Sequence, residues 1–389
     1  MTCLAYPLSA EVKIAPYYSL NFMDAVSIPT KGDWLFPLNL TNDLGLMANV
    51  GENNSVTGFY ELKYTGPGFK KEEGQSFTDR TMDHILVFRD EQKLNDLYTL
   101  KAQLDYMREY VRTGADEVWG QGLYDFQRTG FGIFLGRQFA PELYGELSLQ
   151  FHTILFPNYS DLLAEYQAGA NADSSTGKQN QNVYQLGAYG KYGANSASAG
   201  IMLMNYTKQK IIVQTVQPDG TYYSGELQSD MLVTLNASRE QKIGERILVV
   251  PGFAYKHKTS NQNFQDFATP TSTVPVQYVG EFYNYNEIDA VLPFTLLISR
   301  KWEYFATIEW DWKDYTARPP RDVNNVFVSG RQANDIIIWG TGFTYKANEV
   351  TRTTFFYQYQ GETSNMKFEK YLPYNYAGYT VGINFNYSY

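Results

Sequence analysis

The last eleven residues, Tyr379-Thr-Val-Gly-Ile-Asn-Phe-Asn-Tyr-Ser-Tyr389, constrain the fold more than any other stretch. Tyr379, Val381, Ile383, Phe385, Tyr387 and Tyr389 hold the odd positions, while Thr380, Gly382, Asn384, Asn386 and Ser388 hold the even ones. Successive side chains of a strand point to opposite faces, so this strand has one apolar or aromatic face and one small, polar face. A soluble sheet would rarely place an exposed tyrosine at such an end. A membrane barrel uses both faces, setting the apolar one against lipid and the polar one against a wet lumen, with aromatics at the interface.

Composition agrees. The chain has 33 Tyr, and aromatics reach 16%. Tyrosine and tryptophan suit a surface that is apolar on one side and wet on the other. Charged residues are held to 19%, yet mean hydropathy is negative at -0.39. No run approaches the roughly 18 to 20 apolar residues that a membrane helix needs. A helical membrane protein is therefore excluded, whereas a barrel hides its membrane signal in alternation. A net charge of -9 and a pI near 5.0 argue against nucleic acid as a partner. The single cysteine, Cys3, permits no internal disulfide. Residues 1–10, ending in Leu8-Ser9-Ala10, read as the remnant of a signal peptide or as a disordered tail.

Alternation of this kind recurs along the chain. It predicts strands at about 11–22, 42–50, 56–64, 79–94, 97–111, 123–138, 142–156, 182–193, 197–213, 224–239, 245–258, 281–299, 303–315, 332–346, 350–361 and 376–389. In the stretch from Glu303, the residues Tyr304, Ala306, Ile308, Trp310 and Trp312 face one way, and Glu303, Thr307, Glu309, Asp311 and Lys313 face the other. Such a charged face belongs in water rather than in a dry sandwich core. Short polar turns alternate with longer connections at about 23–41, 65–79, 113–121, 157–181, 214–223, 259–279, 316–331 and 362–375. The expected fold is an all-β, antiparallel, up-and-down transmembrane barrel of about sixteen strands over residues 11–389, with short periplasmic turns and long extracellular loops. Its first and last strands pair.

In this alternation, the turn rhythm and the aromatic terminus, the chain resembles the broad class of Gram-negative outer-membrane β-barrels of porin size. Tyr379, Val381, Ile383, Phe385, Tyr387 and Tyr389 resemble the C-terminal signal that such barrels present to their assembly machinery. The resemblance implies a bacterial outer-membrane location, with lipid and that machinery as partners. It also leaves room for periplasmic or extracellular protein partners or a self-oligomer. One departure is visible. A general porin carries a long inward loop near its third hairpin, whereas the third connection here is short.

The candidate lumen residues follow from the polar face: Lys101, Asp105, Glu109, Glu146, His152, Glu303, Glu309, Asp311, Lys313 and Arg352, with Lys191, Asp230, Asp289 and Asp335 also read as inward. Acids outnumber bases, which favours cations or neutral solutes. Mixed charges that merely solvate the interior and pair across strands are the bland alternative. The segment from Ser160 reads as a short helix, on which Asp161 and Glu165 either narrow the pore or lie on the rim. Aromatic stretches at Phe282–Tyr285 and Tyr371–Tyr376 read as an outer girdle or a sugar-stacking track.

No catalytic, metal or cofactor pattern is expected, since His84, His152 and His257 lack triad or ligand spacing. A lumen hydrolase would need a nucleophile on His152. The leading expectation is a mildly cation-preferring channel for small hydrophilic solutes. The alternative is a structural or export barrel that anchors or serves a secretion, surface-appendage or polysaccharide assembly.

Overall fold

The computed structural model describes residues 12–30, 32, 34–67, 79–114, 117–160, 177–266, 277–369 and 374–389. The strands are β1 (Val12–Pro29), β2 (Pro37–Val50), β3 (Asn54–Pro67), β4 (Arg80–Lys93), β5 (Tyr98–Arg112), β6 (Phe126–Ala140) and β7 (Leu143–Leu155). Next come β8 (Gln181–Tyr192), β9 (Asn195–Ile212), β10 (Tyr223–Arg239), β11 (Gln241–Ile243), β12 (Ile247–Val249) and β13 (Gly252–Ser260). The remainder are β14 (Phe264–Asp266), β15 (Gln277–Val279), β16 (Tyr285–Leu297), β17 (Trp302–Tyr315), β18 (Ala333–Lys346), β19 (Thr351–Ser364) and β20 (Tyr376–Ser388). Segments β10 and β11 form one barrel strand, as do β12 and β13, which are divided at Pro251 because proline cannot donate to the ladder. The small β14–β15 hairpin stands apart. Sixteen antiparallel strands remain, each pairing with its chain neighbours, and β20 pairs with β1 from Ser19↔Ser388 to Pro29↔Gly378.

The barrel therefore closes as expected. Closure removes every free edge, as lipid demands of a spanning sheet. Followed around the wall, the registers return to β1 displaced by about 20 residues, which for sixteen strands means a tilt of about 40° and a radius of about 15 Å. A barrel of that bore exceeds what its own side chains can fill.

Burial is inverted relative to a water-soluble fold. Leu147 (60% exposed), Leu149 (61%), Ile308 (58%) and Leu104 (58%) all lie on the outer face. Fully buried apolar side chains such as Val87 and Val183 are few among the described residues. An apolar band running round the whole barrel would aggregate in water, but it is the natural surface toward acyl chains.

Two glycines keep the inner wall flat. A Cβ on Gly342 would fall 2.1 Å from the Phe355 carbonyl oxygen and 2.7 Å from the Phe305 ring. One on Gly382, at the β20–β1 seam, would meet the Phe356 ring at 2.6 Å and Ala25 Cβ at 2.7 Å. Both phenylalanines face inward, and their rings lie along the wall over the glycines instead of projecting into the lumen.

The connection between β1 and β2 differs from the expected 23–41. Strand β1 runs on to Pro29 and β2 starts at Pro37. Inner and outer positions continue to alternate through Met23-Asp-Ala-Val26, but Asp24 occupies an outward position, which broke the apolar pattern. The third connection runs from Thr113 to Asp125 and is tied down rather than free. Asp125 is 1% exposed and accepts from the Val111 amide at 2.7 Å and the Gly122 amide at 3.2 Å. Burial pushes its carboxyl up, against the downward pull of those two donors. Asp125→Ala strands both amides and should cost about 2 kcal/mol of unfolding free energy, read by urea titration in lipid vesicles.

Candidate functional site: the lumen wall

Direct cross-strand partners share a face, so the registers assign every strand residue to lumen or lipid. On β5, Leu104 and Tyr106 are exposed outward, which sends Lys101, Asp105 and Glu109 into the lumen. Glu146 and His152 on β7, Glu303, Glu309, Asp311 and Lys313 on β17, and Arg352 on β19 also fall on the lumen face, as do Lys191, Asp230 and Asp289. Asp335 does not. It pairs with Trp312 on the outer face, and Trp310 Nε1 donates to it at 3.3 Å. The sequence reading failed there because Asp335 ends an apolar run near the rim, where an outward carboxylate reaches water.

Asp161 and Glu165 lie outside the described residues, as do residues 1–11 and 370–373. Phe282 is not part of an outer girdle. It is 5% exposed and stacks on Phe264 at 4.5 Å between ring centroids, with the Arg318 guanidinium 4.4 Å from its centroid. Sequence spacing cannot show such a loop-to-loop contact.

The lumen charges form three groups. Near the short-turn rim two bases are held by acids: Lys101 Nζ donates to Glu146 at 2.9 Å, Tyr144 donates to the same carboxylate at 2.7 Å, and Lys346 pairs with Glu303. Arg352 stands directly across from Lys346. Higher on β5–β7, Asp105 is 7% exposed, with Arg128 Nε at 3.4 Å and His152 Nε2 at 3.6 Å. Asp105 is thus the described partner of His152, and no hydroxyl or thiol is among that histidine's described contacts.

The third group carries the net charge. Glu287 on β16 holds both Lys256 and Lys313, the latter at 3.0 Å. Beside it, Asp289 and Asp311 stand directly across from each other, and Glu309 follows on the same face. No ion pair is found for these three among the described residues, and Asp289 Oδ1 and Asp311 Oδ1 have no hydrogen-bond partner. Across the barrel, Asp43 faces Glu61, and Asp83 faces Glu109. Lys63 pairs with Glu61 at 2.8 Å. Like charges in direct cross-strand register destabilise a sheet. These acids therefore hold a negative potential over the middle and upper lumen, offset in part by Lys63, Lys256 and Lys313.

Asp43, Asp83, Arg128, Lys256 and Glu287 were missing from the sequence-derived set. Parity alone would have found Glu287, two residues before Asp289. Asp83 sits in the segment whose alternation is hardest to read, whereas Asp43 lies on the polar face of a cleanly alternating stretch, opposite Leu44 and Leu46.

No family model matches the sequence, and no curated protein matches it. Among solved structures, the chain is similar to a bacterial polysaccharide outer membrane secretin, at 10% identity and a TM-score of 0.47, covering 96% of this chain and 98% of that one. OmpT, an outer-membrane protein of Vibrio cholerae, is similar at 14% identity and a TM-score of 0.44, covering 99% and 100%. CdiB from Acinetobacter baumannii is similar at 9% identity and a TM-score of 0.47, covering 98% of this chain and 66% of that one. With its apolar outer band, its polar inner wall and its first strand closed on its last, this chain has the build of a membrane-spanning β-barrel of the outer-membrane type.

Proposed function

We propose that the barrel is a passive channel for small hydrophilic solutes, with a mild preference for cations. The observation that carries this reading is the unneutralised carboxylate group of Asp289, Glu309 and Asp311, facing the Asp43, Glu61, Asp83 and Glu109 wall across a wide bore. Uncompensated lumen acids raise the local concentration of cations and lower that of anions. Neutral solutes feel the bore alone. Near the short-turn rim Lys101 and Lys346 are paired with acids, while Arg352 stands beside Lys346 with no ion pair among the described residues and tempers the cation preference.

Purified protein reconstituted in a planar bilayer should give steady, ohmic conductance. Liposomes containing it should take up small uncharged sugars and exclude large dextrans. A folded barrel that stays electrically silent, or shows rare flickers alone, would overturn this reading.

A further inference from the structure

We propose that the outer face of β1–β5 binds further copies of this chain side by side, closing a ring through Asp24 of one copy and Arg108 with His84 of the next. The proposal rests on the membrane-barrel fold and is independent of what the lumen carries.

Its basis is where charge sits on the lipid face. From β6 to β20, outward carboxylates, basic groups and histidines stay within three residues of a strand end, as Arg137, His257 and Asp335 do. Strands β1–β5 break that rule. Asp24 lies five residues inside the long-loop end of β1, and Arg108 and His84 lie four inside the matching ends of β5 and β4. Allowing for the tilt, all three share one depth to within about one residue. His84 and Arg108 are direct partners, braced by the Tyr60 hydroxyl at 2.7 Å from His84 Nδ1 and by the Tyr110 ring 5.0 Å from the guanidinium. Neither Asp24 nor Arg108 makes an ion pair among the described residues, and the nearest acid acting on Arg108 is Asp125, beyond ion-pair distance at the long-loop end. Ionised groups against acyl chains are costly, and a partner of opposite charge at the same depth removes that cost.

The occupant is a second copy because one molecule presents both halves of the pair. On sixteen strands, β4 and β5 stand about 68° and 90° around the wall from β1. Ring closure needs contact faces 60° apart for three copies and 90° for four, so the patch fits a heterologous ring of three or four. In a two-fold pair both walls curve away before these groups can meet.

Extracted in mild detergent, the protein should have the mass of three or four copies. Asp24→Arg should cut the ring fraction at least tenfold while retaining the heat-modifiable mobility of a folded barrel, and Asp24→Arg with Arg108→Asp should restore it. A wild-type protein of one-copy or two-copy mass, or an Asp24→Arg variant that keeps its ring, would overturn the proposal. Should Asp24→Arg fail to fold, cysteines two residues below each group decide instead. Phe22→Cys with Tyr106→Cys, in a Cys3→Ser background, treated with a short bismaleimide in membranes, should give a ladder ending at three or four. No ladder would overturn the proposal as well.

Discussion

Arginine in place of Ile383 should destabilise the folded barrel by about 2–4 kcal/mol, whereas arginine at the adjacent Asn384 should cost less than about 1 kcal/mol. The two positions are neighbours on β20, and accessibility alone would rank them the other way: Ile383 is 47% exposed, while Asn384 is less so. In a water-soluble protein an exposed isoleucine tolerates arginine. Here the exposed side is acyl chain, where a guanidinium must snorkel or thin the bilayer. At position 384 the new side chain extends into the lumen, beside Met23 and Thr354 on the adjoining strands. Urea titrations in phospholipid vesicles, followed by tryptophan fluorescence, measure both variants. Equal costs would mean that the two faces do not meet different solvents.

The second large effect concerns selectivity. Converting Asp289, Glu309 and Asp311 to their amides should bring the cation-over-anion permeability ratio close to one, with conductance changed by less than about twofold. The amides keep the size of the carboxylates, and the bore is set by the backbone through strand number and shear. What changes is the field. Glu287 remains occupied by Lys256 and Lys313 and does not replace the lost charge. Lysine at Asp311 should go further and favour anions. An unchanged ratio in the triple amide variant would move the selectivity to the Asp43–Glu109 wall or to the loops.

Much of this architecture was legible in the sequence because a barrel strand must alternate, and alternation is a local property. Ile308, Trp310 and Trp312 against Glu309, Asp311 and Lys313 gave both faces of β17 without any tertiary knowledge. The aromatic face of β20 and the position of the short turns were enough to expect its pairing with β1. What escaped was non-local or irregular. Strand β1 looked finished at Phe22 because Asp24 interrupts its outer face, and a reason for that interruption appears only when β4 and β5 are brought to the same depth. Asp335 looked like a lumen acid because depth in the membrane is invisible to parity. The clasp of Asp125 on Val111 and Gly122, and the stacking of Phe264 on Phe282, join residues whose spacing carries no period. The carboxylate cluster was partly visible, but which acids remain uncompensated depends on Lys256 and Lys313 both choosing Glu287.

The C-terminal strand offers the most direct test of a closed wall between lipid and water. In a Cys3→Ser background, single cysteines are placed at positions 380, 381, 383, 384, 385 and 386, and each protein is folded into liposomes and treated with a water-soluble maleimide. Cysteines replacing Thr380, Asn384 and Asn386 should label, and those replacing Val381, Ile383 and Phe385 should not. Uniform labelling, or the opposite alternation, would contradict the account.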